Sequence, residues 1–390
     1  MTFVELAVIG AAALLGPLLA YPRGWHLPVV LGELVAGVVL GRTGFGYLDA
    51  GNETFSFIAD IGFALVMFVA GTHVPVRDPA IRPALKGGLV RALAVAAVAV
   101  VLGVGIAAVS GIHHGPLYAV LLTSSSAALV LPVVDSLGLG GPRVIGLLPQ
   151  VAIADTACIV ALPLAIDPSH ALRAAGGAAL VIAAAAVVFV VLRKLERSGV
   201  RDRVHEVSEE RLFATELRIQ LAILFGLAAL ATRSHVSMML AGFAFGLAVA
   251  AVGEPRRLAK QLFALTEGFL GPVFFVWLGA ELNLRELGAH PSMIVLGVAL
   301  GVGAALAHLV PLALRQPPSL DLLSAAQLGV PVAAATVGSQ LGVLRPGEPS
   351  ALMLGALVTI ALAVVGGGLA ARAGLVAVVP KPVDPVGGTP

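Results

Sequence analysis

Apolar runs of about 17 to 24 residues follow one another along almost the whole chain, the length a helix needs to cross a hydrocarbon layer about 30 Å thick. Thirteen such runs are predicted as spans, over 4–20, 28–41, 55–72, 89–109, 116–134, 144–166, 171–192, 213–232, 236–252, 264–281, 292–314, 322–342 and 349–374. The composition agrees, since only 12% of the residues are charged and 58% are apolar, with a mean hydropathy of +1.00. A soluble domain carries roughly twice that share of charge. The fold class expected is all-α and integral to a membrane, with about thirteen transmembrane helices.

Basic residues collect in the short cytoplasmic loops of such proteins. With the N-terminus outside, nineteen of the 24 Lys and Arg residues fall on one face, and only Arg42, Arg173, Arg233, Arg285 and Arg345 fall on the other. Merging or splitting one span would scramble that asymmetry. The expectation is a multi-pass protein of the cell (inner) membrane, N-terminus outside and C-terminus cytoplasmic. Because the basic residues are accounted for by topology, no nucleic-acid partner is expected. The first residues, Met1-Thr2-Phe3-Val4-Glu5, lack a basic stretch, so the first span reads as one that stays. The single cysteine, Cys158, excludes a disulfide framework.

The segment Arg193 to Arg218 mixes both signs of charge and divides the chain, with a cytoplasmic linker at about 193–212. On either side the sequence repeats weakly. Gly37 lines up with Gly242 at an offset of 205, Gly71 with Gly279 at 208, and Ala127 with Ala333 at 206. The offset covers seven spans, an odd number, so the halves at about 28–166 and 236–374 insert with opposite orientation. Inverted repeats of this kind build secondary transporters, whose sites lie near the bilayer midplane where helices are broken. Residues 1–378 are read as one transmembrane transport domain and 379–390 as a disordered tail.

Two breaks are expected at matching places. One is the hydroxyl run Thr123-Ser124-Ser125-Ser126, whose side chains compete for backbone groups. The other is Gly329-Val330-Pro331, where proline removes a helix hydrogen bond. Asp155 lies about eleven residues from each end of its span. A carboxylate at that depth costs several kcal/mol if ionised and unpaired, which makes it a functional candidate that can hold a proton or, when ionised, a cation. Asp60 is a candidate accessory acid lining an entrance. Glu33, Asp135 and Glu281 sit where they add little, and His113-His114 read as solvated at an outer mouth. The histidines form no metal-ligand cluster, and no GxSxG, zinc or P-loop signature is present. Neither an enzyme, a resident metal nor a cofactor is expected.

The stretches LGELVAGVVLG from Leu31, ADIGFALVMFVAGTHV from Ala59 and TSSSAALVLPVVDSLG from Thr123 resemble the monovalent cation/proton antiporter family. The bacterial Kef-type and sodium/proton exchangers are the most similar branch, and the resemblance runs over about 4–374. It implies an inverted-repeat fold in which a dimerisation domain and a core domain move against each other, the core holding two crossing broken helices at 116–134 and 322–342. It also implies a homodimer and exchange of Na⁺ or K⁺ for H⁺ in pH homeostasis. Asp155 matches the family's essential aspartate, with Ala154 in place of the other member of its usual pair. Thr123, Ser124 and Ser125 would complete the cation's oxygen shell, and Gly329 and Pro331 would shape the second break.

The chain departs from that pattern in three places. No lysine lies between Ser292 and Leu314, where His308 is the titratable residue. Val330 and Pro331 follow Gly329 where an acid is usual, and His73 stands where a glutamate is common. With one acid and no partnering lysine, exchange is expected to be electroneutral. The alternatives are Kef-like potassium efflux and a transport-inactive sensor or assembly subunit on the same scaffold.

Overall fold

In the computed structural model, residues 1–21, 29–72, 77, 81–166, 171–199, 214–234, 236–253 and 256–376 are described. His73, most of the 193–212 linker and the 379–390 tail lie outside these residues, as does the side chain of Asp135. Helices account for every long element among them. In chain order they are α1 (Phe3–Ala13), α2 (Leu15–Ala20), α3 (Val29–Leu40), α4 (Glu53–Thr72), α5 (Ile81–Ser110), α6 (Gly115–Thr123), α7 (Ala127–Ser136), α8 (Pro142–Ile166) and α9 (Ala171–Arg197). After the linker come α10 (Thr215–Arg233), α11 (Met238–Val252), α12 (Arg256–Leu265), a π-helical turn at Thr266–Leu270 and α13 (Gly271–Glu281). The chain continues with α14 (Leu284–Ala289), α15 (Pro291–His308), a 3₁₀ turn at Val310–Leu314, α16 (Pro318–Ser324), α17 (Gly329–Gln340) and α18 (Glu348–Arg372).

Ten of the helical stretches are long and apolar enough to span a bilayer, and three shorter apolar ones, Val29–Leu40, Gly115–Leu131 and Met238–Val252, fall on the remaining predicted spans. Valines and leucines such as Val101, Leu172, Val187 and Val295 are exposed on the outer faces of these helices, as a lipid-facing surface requires. Contacts between helix ends test the alternation. At one end Arg285 Nη2 donates to the Gly44 carbonyl at 2.8 Å and Arg345 Nη2 to the Gly111 carbonyl at 2.7 Å. At the other, Arg77 Nη1 donates to the Val252 carbonyl at 2.8 Å and Gly140 N–H to the Leu375 carbonyl at 3.0 Å. Each contact joins segments that the alternation puts on one side. The second end, where most of the basic residues fall, is called the basic face below, and the first the sparse face.

The helices sort into two bundles. One holds α5, α6, α7, α8, α15, α16, α17 and α18; the other holds α1 to α4 with α10, α11 and α13, and α9 joins them. In the second bundle the repeat is visible as packing, because α3 lies on α13 and α4 lies on α11. Gly37 faces Gly279 so closely that a Cβ on Gly37 would lie 2.8 Å from the Gly279 Cα. Gly246 faces Gly71 in the same way, its Cβ position 2.8 Å from the Gly71 Cα. Small residues let helix backbones approach in lipid, where packing replaces the hydrophobic drive. Three of the glycines that carried the sequence repeat, Gly37, Gly71 and Gly279, are therefore among those on which its helices cross.

Candidate functional site

Within the first bundle two helices are interrupted near mid-depth, and the interruptions cross. The hydroxyl run ends α6, because Thr123 Oγ1 donates back to the Ala119 carbonyl at 2.8 Å and Ser124 Oγ to the Leu121 carbonyl at 2.8 Å. Ser124 is extended, with ψ of 147°, and Ser124 to Ser126 form the break before α7 starts at Ala127. In the second repeat α16 ends at Ser324 and α17 begins at Gly329, so the break is Ala325 to Leu328. This corrects the expected position at Gly329 to Pro331. Pro331 is the third residue of α17, within the first turn, where a missing N–H costs nothing because no carbonyl awaits it. The two breaks are thus related by an offset of about 202, from Ala127 to Gly329, roughly one helical turn away from the 206 read in the sequence.

Backbone groups freed by such breaks must find partners inside the protein, and here each break serves the other. Ser126 N–H donates to the Ala326 carbonyl at 2.7 Å, and Ser125 Oγ to the Ser324 carbonyl at 2.6 Å. Gln327 Nε2 donates to the Leu121 carbonyl at 2.7 Å and the Ser124 carbonyl at 3.2 Å, capping the C-terminal end of α6. All of these side chains are buried.

Asp155, on α8, is 7% exposed and accepts the Ala127 N–H at 2.9 Å. That N–H is one of the orphan donors at the N-terminus of α7, where the helix dipole favours negative charge. The second repeat has an equivalent with different chemistry: Thr359 on α18 accepts the Gln327 N–H at 3.2 Å through its hydroxyl. One break is therefore tied to a carboxylate and the other to a neutral group. The structure brings Asp155 together with the 124–126 break. Thr123, Ser124 and Ser125 each spend their proton on a carbonyl and keep only lone pairs to offer a cation.

Asp60 is elsewhere. It lines a cavity of about 860 Å³ between the bundles, near the sparse face, with Thr232, Ser237, Trp277, Thr336 and Gln340. Asp155 is not among that cavity's lining residues. One to two turns deeper, Gly329 packs against the Met239 and Met67 sulfurs, its Cβ position 3.1 Å from the first and 3.4 Å from the second. The first residue of α17 thus sits on the contact between bundles.

Sequence reasoning missed four buried polar residues here: Gln327, Gln150, Asp321 and Glu348. Polarity inside apolar spans was the signal for the two amides, outweighed by the more conspicuous hydroxyl run, whereas Asp321 falls one residue before the span predicted at 322–342. Glu348 accepts Tyr118 Oη at 2.7 Å and Arg345 N–H at 2.8 Å, and lies 2.7 Å from His114 Nδ1. His114 is therefore bonded to a buried carboxylate, a correction of its reading as a solvated surface histidine. His308 is buried and its Nδ1 lies 2.9 Å from the Ala304 carbonyl, within its own helix.

A family profile, sodium/hydrogen exchanger, transmembrane, matches residues 10–375. The chain belongs to that family. It is 23% identical over 375 residues to YjbQ of Bacillus subtilis, a protein designated an Na⁺/H⁺ antiporter. The match takes in 91% of this chain and 61% of the relative, so the chain spans less than two thirds of that protein's length. It is 24% identical over 337 residues to Na⁺/H⁺ antiporter 3, so designated, of Methanocaldococcus jannaschii, covering 83% of this chain and 85% of the relative. The electron-microscopy structure of the sodium proton antiporter MjNhaP1 from the same organism superposes with a TM-score of 0.67 at 19% identity, over 96% of this chain and 97% of that one. This family member therefore has the inverted-repeat exchanger fold in a multi-pass membrane protein.

Proposed function

We propose that this protein exchanges a monovalent cation, Na⁺ or K⁺, for H⁺ by alternating access around Asp155. The observation that carries the reading is the carboxylate at mid-depth on the N-terminus of a half-helix. Ionised, Asp155 attracts a cation, with hydroxyl oxygens of Thr123, Ser124 and Ser125 offering lone pairs and Gly329 and Pro331 shaping the facing break. Protonated, it holds no cation. Cation and proton therefore compete for one charge, and movement of the first bundle against the second carries whichever is bound. Only one of the two equivalent positions, Asp155 and Thr359, is titratable, which supports one cation for one proton and an electroneutral cycle. Asp60, on the cavity between the bundles, acts as the accessory acid at the sparse-face entrance. The same reading takes 1–378 as the transport domain, working as a homodimer in the cell (inner) membrane with the basic face cytoplasmic.

The test is cation-driven proton movement in proteoliposomes given Na⁺, K⁺ and Li⁺ in turn, with and without a clamped membrane potential. Asp155→Asn is expected to abolish exchange, and persistent cation-dependent proton flux in that variant would sink the reading. In the wild type, lowering the pH on the cation-loading side is expected to raise the apparent KM for the cation, because protons occupy the same carboxylate. A KM indifferent to pH would separate the two sites.

A further inference from the structure

On the basic-face side of the crossing, one turn before the second break, α16 carries Asp321. Its side chain is fully buried, and neither carboxylate oxygen meets a hydrogen-bond donor among the described residues. Gln150 Oε1 and both polar atoms of the Gln316 side chain are likewise buried without a partner. Gln150 Nε2 lies 3.5 Å from Ser324 Oγ, and that hydroxyl donates to the Asp321 carbonyl at 2.7 Å. The Ser324 carbonyl in turn accepts Ser125 Oγ at the crossing. Hydrogen bonds therefore run from the Asp321 backbone carbonyl to the loop whose far end, Ala127, is held by Asp155, while the Asp321 carboxyl makes none of them.

The charge that acts on Asp321 is Arg91 of α5. Its Nη1 donates to the Gly146 carbonyl at 3.1 Å, and no ion pair joins it to Asp321 among the described residues. Other titratable groups on the elements packed against α16 are accounted for. Glu348 is at the far end of α18 with His114, Arg372 closes α18 at the basic face, Arg143 opens α8 there, Cys158 is buried on α8 three residues after Asp155, Arg315 is exposed at the end of the 3₁₀ turn, and His308 lies against Ala304. A buried carboxylate with no donor and no bonded cation is costly. A carboxyl that takes a proton, with the Arg91 charge opposing the cost of burying its anion once the proton leaves, can occupy both states.

We propose that Asp321 is a proton-relay residue between Asp155 and the water at the basic face, with Gln150 and Ser324 between it and the crossing. The proposal rests on the exchanger reading above. A proton released from the Asp155 carboxyl passes to the Asp321 carboxylate, which becomes neutral. Asp321 then gives that proton to water at the basic face, and Arg91 balances the remaining anion. One proton enters and one leaves, so the relay does not alter the charge of the cycle.

The experiment uses the full chain in oriented proteoliposomes with the pH varied separately on each side. Asp321→Asn is expected to exchange at least about tenfold more slowly, with its dependence on basic-side pH flattened and its dependence on sparse-side pH unchanged, and Asp321→Glu to restore both. Wild-type rates and profiles in Asp321→Asn would overturn the relay, as would an equal loss at every pH on both sides without rescue by Asp321→Glu. Should Asp321→Asn fail to give monodisperse protein, Gln150→Leu keeps both carboxyls. A flattened basic-side profile there supports the relay, and an unchanged one overturns it. A wild type that moves no protons refutes the exchanger reading instead. The relay group is then read by pH-difference infrared spectroscopy of solubilised protein. A carboxyl band that titrates in the wild type and is missing from Asp321→Asn supports it, and a band that persists overturns it.

Discussion

Asp155 and Thr359 do the same structural task, each accepting a backbone N–H freed by a helix break, and differ in what else they can do. The carboxylate can exchange a proton for a cation and the hydroxyl cannot. Stability and transport are therefore expected to separate at these positions. Thr359→Val leaves the Gln327 N–H buried and unpaired, a loss of about 1–3 kcal/mol, and is expected to lower the unfolding temperature in detergent while exchange survives. Asp155→Asn keeps an acceptor oxygen for Ala127 and is expected to unfold near the wild-type temperature with no exchange. A transport-dead Thr359→Val of normal stability would reverse the assignment. Asp155 was legible in the sequence because a lone acid at the centre of an apolar span has few explanations. Gln327 was not, since its role consists of carbonyls about 200 positions away, at Leu121 and Ser124.

Two kinds of helix contact hold the elements in place. At the crossing, hydrogen bonds tie one break to the other; in the second bundle, glycine faces glycine. A side chain on Gly279 would meet the Gly37 Cα at 2.9 Å, with rigid backbone on both sides. Gly279→Leu is expected to force α3 from α13 at a cost of about 1–3 kcal/mol or more, seen as loss of the monodisperse peak in size-exclusion chromatography. Gly268→Ala, with nothing within 4 Å of its Cβ position, is the control and is expected to elute as wild type. The glycine repeat was legible because sequence spacing and helix packing share a period. The register of the breaks was misread by about a turn, since Gly329 and Pro331 are helix-disfavouring residues that in fact begin α17. A proline in a first turn and a proline that ends a helix look alike until the hydrogen bonds are known.

For the whole molecule, the alternation of spans fixes which loops share a face, and the basic residues give that face a side. Phe45 is 82% exposed at the sparse face, and Arg143 is exposed at the basic face. Phe45→Cys is expected to react with an impermeant thiol reagent only from outside the cell and Arg143→Cys only from the cytoplasm. Cys158, 3% exposed, should stay silent in both. Reversed labelling would invert the proposed orientation while leaving the fold intact. The sequence by itself determined the spans, their alternation, the repeat and the mid-depth acid, because hydropathy, helix length and charge bias act locally or add along the chain. Only the tertiary structure decided how the helices divide into two bundles, where the broken helices cross, and that Asp321, Gln327 and Glu348 are buried at or beside the core. Those outcomes depend on which distant backbone groups each polar side chain meets, and in a medium without water that pairing is set by packing.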